Sequence, residues 1–370
     1  MLDTVSVVRP DAVPFAVKLR WRAALIGQPG WSSPFLTPEF TIAVGAVRQD
    51  ARIIIARDHN GQIGILAVHL CLGGYARPLA APMSDHQALI TEAGFAADIT
   101  DILKAAGLGA LPFTALNDPR GQVCHQPTTK AVSHLVDLRA GSASYFARQG
   151  KIHGRHFKKM RQRARAAQRD HGTVELVLDS QREEDFAFLV QHKRAQYRRT
   201  RKGDVLASRW IPALLRHLWQ EGGRVRVVLN MLYLGGKPAA AEIGLYCEGI
   251  YHSWIAAYDP VFSRYSPGLL LLEGVIQNAR KLSISQIDLG AGHDHYKKYY
   301  ANDQIALGTA KVLGEGFVAR QHHFIDRYGA KILAGVPLRL YNAFEFMAAC
   351  HPSWRGKMRG LAGRFGQFVT

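Results

Sequence analysis

Cysteine is scarce in this chain: its 370 residues include four, and no two of them form a CxxC pair. Such spacing argues against both a disulfide framework and a zinc knuckle, and it is typical of a reducing compartment. Long apolar runs are also missing, since no stretch reaches the ~18 apolar residues that a membrane helix needs. The first residues, MLDTVSVVRPDAVPFAVKL, include an early aspartate and no uninterrupted apolar core. They do not predict a signal peptide, so we expect a cytoplasmic protein without a transmembrane segment.

Acidic residues are few as well, with 29 Asp and Glu against 47 Lys and Arg and a net charge of +18. This balance favours anionic partners: nucleic acid, acidic lipid, or substrates and cofactors that carry phosphate. Charge alone does not choose among them. Apolar residues make up 48% of the chain, enough for substantial cores, and the length suggests two or three domains.

Two segments have the pattern of a β-hairpin. Residues 52–72 place β-branched runs on both sides of Asn60-Gly61, and residues 226–247 place similar runs around Gly235-Gly236. These dipeptides readily adopt the positive φ angles of tight hairpin turns. The turns lie about 174 residues apart, which predicts an internal repeat, with chance similarity between two hairpins as the alternative.

The second half of the sequence alternates strand and helix patterns. Ser266 and Pro267 suit the N-cap and first position of one helix. Around the second hairpin, strands are predicted at 173–179, 249–260, 284–290 and 304–313, and helices at 183–200, 207–222 and 266–282. This order predicts a mixed sheet covered by helices, an α+β fold.

A strongly basic segment, residues 150–172, separates the two halves. Its apolar residues recur at helical spacing in a narrow stripe, formed by Phe157, Met160, Ala164 and Ala167. Eight Lys and Arg fall between residues 151 and 169. They suit either a nucleic-acid surface or a solvated face that steers anionic substrates, and we favour the second. A further cationic cluster, residues 193–202, extends the same positive surface.

The element order, with a glycine-bearing turn that opens a helix after the third strand of a meander, resembles the fold of GNAT acyltransferases. The stretches AAYDPVFSRYSPGLLLLEGVI (256–276), IDLGAGHDHYKKYY (287–300), SPFLTPEF (33–40) and MSDHQ (83–87) are similar to the CelD/BcsL cellulose-biosynthesis-type acetyltransferases. Residues 151–176 are similar to the basic helix of Fem-type peptidyltransferases, which carry two GNAT-like halves. The resemblance implies tandem GNAT-like domains with an acceptor held between them. We expect a degenerate domain at 1–142, a basic inter-domain helix at 143–172, a GNAT domain at 173–318 and a partly helical basic tail at 319–370.

The resemblance also implies where an acyl donor binds. The coenzyme A pyrophosphate would lie at the helix N-terminus that follows residues 261–265, where free N–H groups and the helix dipole attract anions. The residues assigned to it are Ser263, Arg264, Ser266 and Gly268, and the backbone of Ile255, Ala256 and Ala257 would contact the pantetheine arm. An ordinary capped helix beside a core strand is the alternative.

Acid and base groups are expected near residues 284–300. Direct transfer needs a base for the nucleophile and an acid for the departing thiolate, but no cysteine nucleophile. The resemblance assigns the acid to Tyr296, and we favour His293 as base with Asp288 as its orienter. Asp259 and Glu242 are further candidate bases, and capping of the next turn is the alternative for Asp288. His293 and His295 offer a metal two ligands without a clear third, so no metal is expected.

The acceptor is the least defined part of the sequence prediction. Lys297 suits an anionic acceptor group, and the MSDHQ likeness implies contacts from Asp85, His86 and Gln87, with a polar turn as the alternative. These observations predict an acyltransferase that uses acetyl-CoA and acts on an amine or hydroxyl of a sugar or exopolysaccharide precursor. The alternatives are a Fem-like aminoacyltransferase that uses tRNA, and a non-catalytic GNAT-fold component of polysaccharide biosynthesis.

Overall fold

The computed structural model describes residues 1–124, 127–292, 294–316, 319–320 and 346–350. These residues belong to two compact units. The first unit takes residues 1–130, 207–214 and those from 307 onwards, and the second takes residues 131–206 and 215–306. Most of the predicted tail 319–370 lies outside the described residues. Among the described helices, none is long and apolar enough to cross a membrane.

The first unit is built on an antiparallel sheet. Its strand order is β1-β2-β3-β4, and β5 pairs with β3. The elements are β1 (Leu2–Val8), α1 (Phe15–Ile26), α2 (Pro38–Val47), β2 (Ala51–Asp58), β3 (Ile63–Leu70), β4 (Ala76–Pro78), β5 (Leu89–Thr91), α3 (Ile99–Ala105) and β6 (Ala110–Leu116). The first predicted hairpin, β2 with β3, is confirmed. Its loop has four residues rather than two: Gly61 adopts a φ of 74°, and the Asp58 carboxylate accepts from the N–H groups of Asn60 and Gln62.

The second unit contains a mixed sheet of strand order β7-β12-β11-β10-β9-β8. Strands β11 and β12 are parallel, and their neighbours pair antiparallel. The remaining elements of the chain are β7 (Thr129–Asp137), α4 (Ser142–Ile152), α5 (Gly154–His171), β8 (Val174–Val177), α6 (Glu183–Arg199), α7 (Trp210–Gln220), β9 (Val225–Leu234), β10 (Lys237–Cys247), β11 (Ile250–Tyr258), α8 (Pro267–Gln277), β12 (Gln286–Asp288), α9 (Lys297–Tyr300) and β13 (Asp303–Leu313). The last residues of β13 belong to the first unit, as does β6, with which they pair. The predicted α+β class is therefore confirmed.

The same element order occurs twice in the chain. The series β1-α1-α2-β2-β3-β4 and the series β8-α6-α7-β9-β10-β11 both run strand, two helices and three strands, and each forms a sheet in matching order. The two predicted hairpins occupy equivalent places, so the predicted repeat is present in the topology. The copies differ in length, since β4 has three residues and β11 has nine.

The second hairpin has the predicted two-residue turn. Gly235 and Gly236 both adopt positive φ, 57° and 73°, which joins β9 to β10 tightly. A Cβ atom at Gly235 would lie 2.8 Å from the carbonyl oxygen of His171. Glycine is therefore required here both by the backbone conformation and by the close approach of α5.

The basic segment 150–172 packs within the second unit. The predicted apolar stripe is confirmed, because Phe157, Met160 and Ala167 are buried in a core cluster with residues of α8. The prediction of one continuous helix is wrong, since α4 ends at Ile152 and α5 begins at Gly154. His153 between them adopts non-helical angles, φ −121° and ψ 36°. Gly150 and Gly154 have low helix propensity, so a break between the helices at this point costs little conformational free energy.

Candidate functional site

Strands β11 and β12 separate in the middle of the sheet of the second unit. They pair in parallel over only three positions, from Ile250 with Gln286 to His252 with Asp288. Strand β12 ends at Asp288, whereas β11 continues to Tyr258 along β10. In the described part of the chain, no strand pairs with that edge of β11 beyond His252. Its N–H and C=O groups therefore face a gap in which a ligand can satisfy them.

A β-bulge lies beside this gap. Ile243 on β10 faces Ile255, but the next residue, Gly244, faces Ser253, so Trp254 is the extra residue on β11. A bulge bends the strand and changes the direction of the side chains that follow, and bulges are common next to active sites. The predicted pantetheine segment, Ile255 to Ala257, starts directly after it.

Glu242 is buried on β10 next to the bulge, with 4% of its surface exposed. The hydroxyl of Tyr251 donates to its Oε1 at 2.6 Å, and Ser253 donates to its Oε2 at 3.0 Å. Tyr251 also accepts from Asn230 Nδ2 at 3.0 Å. This arrangement requires glycine at position 244, because a Cβ atom there would lie 1.9 Å from the Tyr251 ring. Burial raises the pKa of Glu242, although the two hydroxyl hydrogen bonds and His252 oppose that shift.

Tyr296, the predicted acid, lies directly before α9 and packs against the same core cluster. Burial raises its pKa, and the negative charges of Glu242 and Asp294 raise it further. The phenol therefore keeps its proton at neutral pH. Buried groups with perturbed pKa values are typical of active sites, so Glu242 and Tyr296 are candidates for proton transfer.

Helix α9 is fixed by several hydrogen bonds. The Tyr300 hydroxyl donates to Glu273 on α8 at 2.8 Å and lies 3.0 Å from His156 on α5. The Tyr145 hydroxyl donates to the carbonyl of Tyr300 at 2.6 Å. Lys297, predicted to bind the acceptor, is buried and donates to the carbonyls of Ala291 at 2.6 Å and Gly290 at 3.3 Å. Its ammonium group therefore closes the loop that precedes α9.

Asp288, predicted to orient His293, is held by neighbouring groups in the structure. It accepts from Ser133 Oγ at 2.5 Å and from the N–H of Gly290 at 2.7 Å, and it lies 3.4 Å from His252 Nδ1. The bond to Gly290 is the turn-capping alternative. His293 lies outside the described residues, so its pairing with Asp288 stays a prediction.

The predicted pyrophosphate site is the loop between β11 and α8. Ser266 occupies the N-cap position in a left-handed conformation, φ 54°, and its side chain makes no capping hydrogen bond. A Cβ atom at Gly268, the second residue of α8, would meet no atom within 4 Å. The start of α8 therefore combines the positive end of a helix dipole with open space above Gly268, as an anion site requires.

The other predicted donor residues are placed as follows. Ser263 and Arg264 are exposed in the turn before α8. The Arg264 guanidinium donates to Asp170 at 3.0 Å and lies 4.6 Å from the centre of the Tyr265 ring. Asp259, a further candidate base, caps that turn by accepting from the N–H of Val261 at 3.0 Å. Arg264 thus has a partner on α5, and a ligand phosphate would compete with Asp170 for it.

Lys193 on α6 is a functional candidate that the sequence did not single out within its cationic cluster. Its Nζ donates to the carbonyl oxygen of Ala256 at 3.0 Å, in the part of β11 that no longer pairs with β12. The side chain is half-buried, and burial lowers the pKa of the ammonium group, as does the positive charge of Lys202. The sequence signal that could have singled out Lys193 is its i, i+4 spacing from Tyr197. The centre of the Tyr197 ring lies 5.2 Å from the Lys193 ammonium group.

The remaining predicted acceptor residues lie in the first unit. Gln87 is buried, accepts from the N–H of Thr114 at 2.9 Å and donates to the hydroxyl of the same residue at 3.1 Å. His86 is also buried, with its Nδ1 3.3 Å from the amide nitrogen of Asn117. Both line a cavity of about 30 Å³, which suits one water molecule. Asp85 is half-buried, and acceptor binding by these three residues stays a prediction.

Comparison with known proteins supports the fold. Residues 154–298 match the acetyltransferase (GNAT) domain family, a range that includes Glu242, α8 and Tyr296. No curated protein matches this sequence.

Three solved structures are similar in fold. The structure of FemX has a TM-score of 0.55 and 9% identity over 87% of this chain and 100% of its own. A tandem GNAT protein from the clavulanic acid biosynthesis pathway has a TM-score of 0.48 and 12% identity over 85% of this chain and 100% of its own. The C-terminal domain of an assigned lysylphosphatidylglycerol synthetase from Agrobacterium fabrum has a TM-score of 0.48 and 13% identity over 86% of this chain and 97% of its own. At 9% identity the likeness to FemX shows the fold alone, and together with the family match of residues 154–298 that fold is GNAT-like.

Proposed function

We propose that the second unit transfers an acyl group, acetyl in the simplest case, from coenzyme A directly to an amine or hydroxyl. The match of residues 154–298 to the GNAT acetyltransferase domain supports an acyltransferase. The observation that carries the proposal is the separation of β11 from β12 beside the β-bulge and the buried Glu242.

The donor fits along the free edge of β11. The amide groups of a pantetheine arm would pair with backbone groups around Ile255 to Ala257, as a missing strand would. The pyrophosphate would then lie at the N-terminus of α8, where Gly268 leaves open space. This placement uses backbone groups and the helix dipole, so it needs few charged side chains.

In the proposed chemistry, Glu242 is the base and Tyr296 is the acid. The acceptor atom attacks the thioester carbonyl carbon as Glu242 takes its proton, directly or through a water. The carbon–sulfur bond then breaks, and Tyr296 donates its proton to the departing thiolate. A proton thus passes overall from the acceptor to the thiol of coenzyme A. Glu242 is preferred as the base because it is buried on β10 beside the bulge and is held by hydrogen bonds from Tyr251 and Ser253.

The proposed acceptor class is a sugar or an exopolysaccharide precursor. The likeness of residues 256–276 and 287–300 to CelD/BcsL-type acetyltransferases supports this class, and a cytoplasmic location is proposed with it. The protein would then modify a precursor before its export.

A second candidate is an aminoacyl transfer that uses tRNA. The observation that favours it is the cationic face of α5, on which Arg155, Lys158, Lys159, Arg161, Arg165 and Arg169 are exposed. Regularly spaced cations on one helix face can neutralise successive phosphates. A face that steers small anionic substrates needs the same residues.

Ligand-dependent thermal unfolding separates the two candidates. A ligand that binds only the folded state raises the melting temperature. We expect acetyl-CoA and coenzyme A to raise it, and bulk tRNA to have a weaker effect that salt removes. Tight tRNA binding without any shift from acyl-CoA would favour aminoacyl transfer and contradict the proposed function.

A further inference from the structure

We propose that Lys193 and Lys202 form a subsite for an anionic group of the acceptor, a carboxylate or a phosphate, beside the free edge of β11. The inference rests on the proposed acyl transfer and adds a substrate class to it. The acceptor would carry its reacting amine or hydroxyl to the gap while its anionic group binds the two ammonium groups.

The first argument is the position of Lys193. Its Nζ lies 3.0 Å from the carbonyl oxygen of Ala256. Ala256 is the residue that pairs with Glu242 in the β10–β11 ladder. A hydrogen bond to one carbonyl uses one of the three protons of an ammonium group. Two protons therefore remain for a ligand, next to the strand that the donor would follow.

The second argument is the lack of a close carboxylate. Neighbouring cations have such partners: Arg194 pairs with Asp204 at 2.8 Å, and Arg216 pairs with Glu183 at 2.6 Å. Across the part of the chain that the structure describes, Lys193 forms no ion pair within 4 Å and is held by a neutral carbonyl. A half-buried charge with only a neutral partner is costly unless an anion binds it.

The third argument is the approach of a like charge. After α6 the chain reverses at Arg201, which adopts a φ of 53°, and the N–H of Lys202 donates to the carbonyl of Tyr197 at 3.0 Å. This hydrogen bond ties the backbone of Lys202 to Tyr197, which lies one helical turn after Lys193, and the positive charge of Lys202 lowers the pKa of Lys193. Repulsion between the two ammonium groups destabilises the free protein, and a bound anion would offset that repulsion.

The test measures the reactivity of Lys193 in the full chain. Competitive labelling with a trace of acetic anhydride, read by mass spectrometry, is carried out at constant ionic strength in chloride, acetate or inorganic phosphate. A bound anion raises the pKa of the amine, and each unit of increase lowers its reactive neutral fraction about tenfold. We expect phosphate, acetate or both to slow Lys193 severalfold relative to chloride, while the exposed Lys237 on β10 is unaffected.

The anions also distinguish the two acceptor classes. Slowing by phosphate alone indicates a phosphate-bearing acceptor, and slowing by acetate as well indicates a carboxylate. Equal labelling of Lys193 in all three anions would overturn the proposal.

A variant tests the role of the second cation. Lys202→Met should reduce the effect of the anion on Lys193, and an undiminished effect would overturn the two-lysine subsite. The melting temperature with coenzyme A is measured in parallel. Anion protection of Lys193 without any shift from coenzyme A would mean that the acyl transfer has failed and the anion subsite has not.

Discussion

Replacing Gly268 with Asp should separate donor binding from folding. Gly268 is the second residue of α8, and a side chain there would enter open space, with no atom within 4 Å of its Cβ. A carboxylate in the first turn of a helix is stabilising by about 0.3–1 kcal/mol. We therefore expect Gly268→Asp to keep or slightly raise the free energy of unfolding.

The same substitution should weaken binding of the donor. The new carboxylate would occupy the space proposed for the pyrophosphate and repel it. Loss of one hydrogen bond to a charged group costs about 1.5–3 kcal/mol. Since about 1.4 kcal/mol is a tenfold change in affinity, the Kd for coenzyme A should rise at least about tenfold.

Two measurements and one control test this prediction. Calorimetric titration gives the Kd for coenzyme A, and chemical denaturation gives the free energy of unfolding. Gly154→Asp is the matched control, because Gly154 begins α5 and a Cβ there also meets no atom within 4 Å. If Gly268→Asp bound coenzyme A as tightly as the wild type and the control, the pyrophosphate would not lie at α8.

Four further predictions concern the proposed acid and base. Glu242→Gln should lower kcat by about 10²–10⁴ at nearly unchanged stability. Glu242→Ala leaves the buried hydroxyl of Tyr251 and the half-buried hydroxyl of Ser253 without their acceptor, and it should cost about 2–4 kcal/mol in denaturation experiments. Stability that survived Glu242→Ala intact would refute the role of this network. Burial raises the pKa of Glu242, so its contribution to stability is complete below the ordinary carboxyl pKa and is lost as the pH rises through the raised value. Melting curves should therefore show the wild type losing stability relative to Glu242→Gln as the pH rises, and parallel pH profiles would contradict this. Tyr296→Phe should lower turnover and leave the affinity for acetyl-CoA nearly unchanged, and unaltered turnover would show that Tyr296 is not the acid.

Local signals in the sequence were sufficient to predict much of the fold. Gly235-Gly236 forms the expected turn because both residues need positive φ, and Pro267 begins α8 because its missing N–H has no partner at that position. The repeat was also predictable, because each hairpin has a glycine-containing turn between two β-branched runs. The break at His153 was missed because the apolar stripe of α5 starts only at Phe157 and does not mark where the preceding helix ends.

The candidate site was less predictable because it depends on pairing between strands. The contact of Tyr251 with Glu242 requires the register of β10 with β11 and the absence of a side chain at Gly244. Lys193 reaches Ala256 from another helix, 63 residues away in sequence. Charge patterns identified the cationic cluster that contains Lys193, but only the fold selects one lysine from it.

Calorimetric titration of the full chain with acetyl-CoA tests the central claim most directly. The account predicts saturable binding at one site per chain, competition by coenzyme A, and stabilisation of about 2.7 kcal/mol when the ligand is at 100 times its Kd. No heat of binding and no change in melting temperature, even at millimolar acetyl-CoA, would contradict the proposal that the gap between β11 and β12 binds an acyl donor.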